Sequence, residues 1–225
     1  MALHCAPLHP WKVSPAEAIQ IQQTLAHRVR EEPLSTSVET IGGVDVSISG
    51  DTATAAVVVL SFPALEVLDY QLHHASVPFP YIPGLLSFRE VPVICPALER
   101  LQVIPDVLMT DSQGKAHPRR FGLAAHLGIL LDWPTFGVAK SRLIGSYQMP
   151  EVEKGNWTYL YDGEEIIGAV VRTRTGVKPV FVSVGHRITL PEAVSLTLHT
   201  TTRYRLPEPV RLAHHLSKRG RFPHR

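Results

Sequence analysis

The sequence predicts an α/β fold, a mixed sheet flanked by helices, and three observations predict it. Three strand-like runs follow one another between residues 40 and 77, joined by short turns. Short apolar strands then alternate with helical segments, so those strands run parallel through right-handed crossovers. Finally, 225 residues that are 44% hydrophobic and 19% charged suffice for one domain with a full core. Residues 1–225 are read as that single domain, with 1–14 and 219–225 expected to be loose.

Each element has its own signal. Ser14-Pro15-Ala16-Glu17 reads as a capping box with proline at the first helical position. Ala18, Ile21, Leu25 and Val29 follow at helical spacing, so a helix is expected over 15–32, stopped by Pro33. Thr40–Ser49 alternates, with Val44, Val46 and Ile48 on one face and Asp45 and Ser47 on the other. Ala53–Phe62 and Leu65–Val77 complete an antiparallel meander. Helical residues are expected near 85–90 and again over 96–102, with Pro92 marking a break. Asp106–Asp111 reads as a short strand ending in an acid, Phe121–Leu131 as a helix and Thr135–Lys140 as a buried strand. Trp157–Tyr161 and Glu165–Thr173 form a hairpin at Asp162-Gly163. Val180–Val184 is a strand, and Pro191–Thr201 and Glu208–Lys218 are helices. A three-strand meander feeding alternating helices and strands is the layout of the ribonuclease H-like fold.

The acids are placed informatively on this frame. Asp45 sits at the centre of the first strand, a costly position for a lone carboxylate. Asp111 ends the fourth strand, at the edge where α/β sheets bind ligands. With the first and fourth strands as neighbours, the two carboxylates lie side by side and repel unless a cation sits between them. Glu90, on the helix after the proline-rich loop, can point to the same place. Hard oxygen ligands of this kind suit Mg²⁺ or Mn²⁺. Lys140 closes the fifth strand at the same edge, either as a solvated cap or in contact with a scissile phosphate. His214 and His215 are either surface residues or the source of one more group at the metal.

The segment Pro80–Glu90 reads PYIPGLLSFRE. Pro80 and Pro83 stiffen it, Gly84 permits positive φ, and an exposed aromatic pair, Phe79 and Tyr81, is expected at its tip. A rigid aromatic finger suits the separation of stacked bases, and a half-buried tyrosine in a turn is the other reading. The loop DSQGKAHPRRFG after the fourth strand offers His117, Arg119 and Arg120 as phosphate-binding chemistry, with a plain basic surface loop as the alternative.

Taken together, GVDVS around Asp45, PYIPGLLSFRE, HPRRFG, GVAKSRLIG around Lys140, GHRI and YRLPEPVRLAH ending at His214 resemble the endonuclease V family, from about Gly42 to His214. The resemblance implies a Mg²⁺-dependent nuclease, Mn²⁺ able to substitute, that recognises deoxyinosine in single- or double-stranded DNA. It implies nicking at the second phosphodiester 3′ to the lesion, leaving 3′-hydroxyl and 5′-phosphate ends, in DNA repair. By the same resemblance Asp45 and Asp111 bind metal, Glu90 is the third catalytic acid, Lys140 lies beside the scissile phosphate and His214 completes the catalytic set. Pro80, Tyr81, Ile82 and Pro83 match the strand-separating wedge. Gly84, Leu86, His117 and Gly122 match the lining of a pocket for the flipped base. The chain departs from the family at Ser112, where glycine is usual, and at Gln113, where His or Asn is commoner; a side chain at 112 would crowd the base pocket or the metal loop.

The same fold and site would also serve an inosine-specific ribonuclease, and a spoiled metal site would leave a lesion-binding protein with weak cleavage. An α/β-hydrolase is disfavoured because no G-x-S-x-G motif occurs. The net charge of +2 permits a nucleic-acid partner without demanding one. No stretch approaches ~20 apolar residues, so no membrane partner is expected. Two cysteines cannot make a disulfide framework, and MALHCAPLHPWK lacks the features of a secretion signal. A cytoplasmic monomer is expected.

Overall fold

The computed structural model describes residues 2–222. Its elements, in chain order, are α1 (Pro15–Ala26), β1 (Thr40–Ser49), β2 (Thr52–Ser61), β3 (Val67–Ser76), α2 (Leu86–Leu98), β4 (Val107–Thr110), α3 (Leu123–Leu131), β5 (Thr135–Ala139), β6 (Trp157–Asp162), β7 (Glu165–Val171), β8 (Val180–His186), α4 (Leu190–His199) and α5 (Glu208–Arg219). The strands form one eight-stranded sheet in the order β3-β2-β1-β4-β5-β8-β7-β6. The β1–β2–β3 meander is antiparallel, β1, β4 and β5 are parallel, and β8 returns antiparallel to β5.

The pleat divides the core in two. Val44, Val57 and Val59 bury one sheet face with Val91, Ile94 and Leu98 of α2 and Leu123 and Leu127 of α3. Ile41, Val58 and Leu60 bury the other with Val210, Ala213 and Leu216 of α5 and Val194 of α4. Residue 45 shares the face of Ile41, two pleats on, and so looks at α5. A Cβ on Gly43 would lie 2.1 Å from the Pro209 backbone. Glycine therefore lets α5 approach β1 closely enough for His214 and Ser217 to reach Asp45.

Four expectations are corrected. The helix predicted over 15–32 stops at Ala26; the Arg30 amide instead donates to His186 Nδ1, and its carbonyl accepts from Arg187. No break occurs at Pro92, because α2 runs continuously through Pro92 and Pro96. The two prolines are one turn apart and half-exposed, while Val91, Val93, Ile94 and Cys95 around them are buried and hold the turn together. Phe79 is not exposed: it is 5% accessible and packs against Phe88, leaving Tyr81 alone at the tip.

The fourth correction concerns the N-terminal residues, which are not loose. Leu3 is buried, Ala6 N–H donates to the Leu130 carbonyl, and Cys5 is disulfide-bonded to Cys95 of α2. His9 and Trp11 pack on Phe88 and His126. At the other end Gly220 caps α5 in the left-handed region and Phe222 packs edge-on against Tyr70. The rest of the expected loose tail, 223–225, lies outside the described residues.

Candidate active site

The parallel register pairs Val44 with Thr110, so Asp45 and Asp111 emerge next to each other at the end of that ladder. The Asp111 amide donates to the Val44 carbonyl at 3.3 Å, which pins the two strands together there. Asp45 Oδ2 accepts from Ser217 Oγ at 2.6 Å and lies 3.3 Å from His214 Nδ1. One ligand atom each from Asp45, Asp111 and His214 falls within 4.8 Å of the others. Glu90 faces the same cavity, of about 150 Å³, which Asp45, Asp111 and Ser112 also line. Two carboxylates and an imidazole this close together suit a hard divalent cation in size and charge.

The electrostatics agree with that donor set. Burial pushes the Glu90 carboxyl up to about 8, and the neighbouring Asp45 and Asp111 charges push the same way. Burial also raises the Asp45 carboxyl, against the Ser217 hydrogen bond, with Asp111 adding to the rise. The Lys140 ammonium pairs with Asp111 Oδ2. Lys140 is 42% exposed against 8% for Asp111, so the lysine covers the acid on the solvent side.

A second cavity, of about 240 Å³, adjoins the first and shares Ser112 and Leu123 with it. Tyr81, Ile82, Pro83, Gly84, Leu86, His117 and Gly122 all line it, whereas Pro80 is exposed outside it. At less than the ~300–1,000 Å³ usual for drug-sized ligands, it suits a single base. Its loop is tightly held. Gly84 has φ +81, and its carbonyl accepts from Gln22 Nε2, His117 Nε2 and Arg119 Nη2 at 2.8–3.0 Å. Arg89 donates to the Phe79 carbonyl at 3.0 Å. Tyr81 is 71% exposed on this braced loop.

Three basic side chains act differently from the phosphate-binding reading. Burial lowers the His117 imidazole to about 4, so it is neutral. Its Nε2–H donates to Gly84, and its Nδ1 accepts from the Arg119 amide. Arg119 is held by Gln22 and Gly84, and Arg120 by Asp162 and Glu165. These cations brace the pocket and are not free for phosphate. Ser217, Gln22 and Arg205 were missing from the sequence reading. Arg205 donates to the Lys140 carbonyl at 2.6 Å and so fixes the end of β5. Only Ser217 had a legible signal, since it lies three residues after His214 on one helix face.

Ser112 lines both cavities with its hydroxyl turned onto Thr110. It is 6% exposed, and its Oγ pairs with Thr110 Oγ1 at 2.7 Å. Its backbone does not occupy the left-handed region, so glycine has no conformational advantage there. Ser112→Gly is expected to lose about 1–2 kcal/mol of stability, from one hydrogen bond and added chain entropy, and to leave nicking within about threefold. A clear gain in rate or in the range of bases accepted would restore the crowding idea.

The sheet is ribonuclease H-like, its acidic cavity shares Ser112 and Leu123 with the base-sized cavity, and the family model it matches is one of endonucleases, which gives the class. Comparison with known proteins then gives the family. The Endonuclease V family model matches residues 23–215, and the chain belongs to that family. It is 50% identical to an Endonuclease V of Roseiflexus sp. (strain RS-1) over 196 residues, which are 87% of this chain and 88% of the relative. The crystal structure of the Streptomyces avermitilis Endonuclease V superposes with TM-score 0.89 at 40% identity, covering 98% of this chain and 97% of that one. Ciona intestinalis Endonuclease V, in complex with a 24mer DNA containing an inosine followed by a ribo-adenosine, superposes with TM-score 0.76 at 29% identity, covering 91% and 96%. Among the described residues no helix is long and apolar enough to cross a membrane.

Proposed function

We propose that this chain recognises deoxyinosine in DNA and nicks the second phosphodiester 3′ to it, leaving 3′-hydroxyl and 5′-phosphate ends, as a monomeric cytoplasmic repair enzyme. One observation carries the reading: the acidic cavity and the base-sized cavity share a wall at Ser112 and Leu123. A base lodged in one leaves its own strand running past the other.

Asp45 and Asp111 would hold the cation, Mg²⁺ or Mn²⁺, which when bound would supply Lewis-acid polarisation of the phosphodiester and a more acidic water. Lys140, exposed beside Asp111, meets the non-bridging phosphate oxygens. His214 is oriented by Asp45 and directs water at the reacting phosphate. Glu90, protonated up to about pH 8 while no cation is present, becomes a hydrogen-bond acceptor for that water once it ionises. Hypoxanthine mispairs weakly and is cheap to extrude. Tyr81, with Pro80, Ile82 and Pro83, enters the gap left in the stack. Gly84, Leu86, His117 and Gly122 wall the pocket that receives the base.

The test is a nicking assay on matched deoxyinosine DNA and inosine RNA, with and without Mg²⁺. Mg²⁺-dependent nicking of the DNA one nucleotide beyond the lesion is the expected result, and uniform cutting of undamaged DNA would overturn it. A second reading, cleavage of inosine-containing RNA, has one observation in its favour: the DNA bound by the Ciona relative carries a ribo-adenosine after the inosine. Faster cleavage of the RNA arm would select it.

Tyr81→Ala is expected to weaken binding to deoxyinosine duplex by about tenfold, and binding to single strand much less, because base–aromatic stacking is worth ~1–3 kcal/mol. Fluorescence anisotropy on both substrates measures it. Equal losses on the two would remove the wedge.

A further inference from the structure

The base-sized cavity draws on the loop before α2 and on Gly122 and Leu123 at the start of α3. Those two helices cover one face of the sheet, and α4 and α5 cover the other. Asp45 and Asp111 lie between, at the end of the β1–β4 ladder. A strand that leaves its base in the cavity and passes the acids comes out beside α5.

Tyr204, in the loop between α4 and α5, is 46% exposed there. Two routes fix its place. Its neighbour Arg205 donates to the carbonyls of Lys140, Lys178 and Pro179 at 2.6–2.9 Å, which ties the loop to the end of β5 and the start of β8. Burial lowers the Arg205 guanidinium and the Asp111 charge opposes that, so the two groups stand near each other. The Tyr204 ring itself packs on Arg211, whose Cζ is 4.5 Å from the ring centroid and which lies one helical turn before His214. Glu208 braces Arg211 from the far side of that contact at 2.5–3.1 Å. One ring face is covered by a fixed guanidinium, and the rest of the ring meets solvent. The charge around it is positive. Arg203 Cζ is 5.8 Å from the ring centroid, Lys154 Nζ donates to the Thr201 carbonyl at 2.8 Å, and Lys178 lies under Arg205. None of these three makes an ion pair among the described residues, while Glu208 is taken up by Arg211 and Thr202.

We infer that Tyr204 and Arg203 hold the DNA strand 3′ of the cut bond, a base stacking on the open side of Tyr204 and a phosphate meeting Arg203. This rests on the reading under Proposed function and carries the bound strand across the sheet edge to α5. An exposed aromatic ring among unpaired cations is what a single strand needs, since every base has a face to stack and every link a charge to meet. The surface reads no sequence. It anchors the far side of the reacting phosphate, so that the phosphate is held from both directions.

The test uses single strands with one deoxyinosine, either intact or with abasic residues in place of the nucleotides 3′ of the cut bond, and a control strand with abasic residues 5′ of the lesion instead. Single-turnover nicking over a range of enzyme concentration separates affinity from the rate of the bound complex, and melting temperature checks folding. The parent is expected to bind the 3′-abasic strand about tenfold more weakly than the intact one. Tyr204→Ala should bind the intact strand about tenfold more weakly than the parent does and no longer distinguish it from the 3′-abasic strand, and Tyr204→Phe should behave as the parent. Tyr204→Leu repeats the test should the alanine variant fail to fold. Arg203→Gln should lower the slope of log affinity against log salt by about 0.7, one single-strand phosphate contact. A Tyr204→Ala variant that still distinguishes the two strands as the parent does gives Tyr204 a structural role only and overturns the inference. So does a parent indifferent to the 3′ abasic residues, or one whose loss follows the 5′ ones. A parent that nicks deoxyinosine strands no faster than undamaged DNA overturns the underlying reading, and this inference with it.

Discussion

Asp45→Ala and Asp111→Ala are each expected to lower Mg²⁺-dependent nicking of deoxyinosine duplex by a thousandfold or more, while both variants stay folded. Each removes one of the two carboxylates, on adjoining strands, that are proposed to hold the cation. Stabilising transition-state charge through a bound cation is worth several kcal/mol, and each 1.36 kcal/mol is tenfold in rate. The folded state responds differently. Without divalent cations the two acids repel, and burial already opposes the charge on Asp45. Removing either carboxylate relieves that repulsion. Asp45→Ala leaves Ser217 free to use the His214 carbonyl, 3.1 Å away. Asp111→Ala frees Lys140, which is exposed enough to reach water. Melting temperature in EDTA should therefore hold or rise. Single-turnover nicking and a thermal melt check both halves. Near-parental Mg²⁺-dependent nicking by either variant would remove the proposed metal site.

The sheet positions of these two acids were legible because strand register follows from a few local facts. An acid at a strand centre, an acid at a strand end and the adjacency of the first and fourth strands place Asp45 beside Asp111 before any packing is known. The long-range contacts were not legible, although Ser217 shares a helix face with His214. Ser217 reaches Asp45 only because α5 crosses β1 against Gly43, and no local pattern encodes that approach. Arg119 and Arg120 look like phosphate ligands in sequence because both are basic and sit in a loop. Their actual partners, Gln22 on α1 and Asp162 and Glu165 on the β6–β7 hairpin, are brought there by the fold. Pro92 misled for a related reason: a proline breaks a helix only where tertiary burial does not offset the lost hydrogen bond, and α2 is buried along one whole side. Phe79 differs from Tyr81 by position alone, since Phe88 on α2 supplies its pocket.

Glu90→Gln separates the chemistry of the site from its electrostatics. The Glu90 carboxyl stands at about 8 in the fold against an ordinary 4.5, because burial and the two aspartates disfavour its charge. A folded pKa above the unfolded value means the contribution to stability is fully present below pH 4.5 and is lost as pH rises through 8. At ~1.36 kcal/mol per unit the ceiling on that loss is about 5 kcal/mol, and relaxation around the cavity reduces what is observed. Glutamine is neutral throughout. In EDTA the parent should lose stability progressively from pH 5 to 8.5 relative to Glu90→Gln, leaving the variant several degrees higher in Tm at the alkaline end. Adding Mg²⁺ should narrow the gap, because a cation beside the three acids favours the ionised carboxyl. Nicking by the variant should nevertheless fall at least a hundredfold, since the amide cannot take up the charged, accepting role that the carboxylate reaches when it ionises. Thermal melts across pH with and without Mg²⁺, alongside single-turnover rates, test both. Parallel pH–stability curves for parent and variant would show that Glu90 ionises normally and is not part of one coupled site with Asp45 and Asp111.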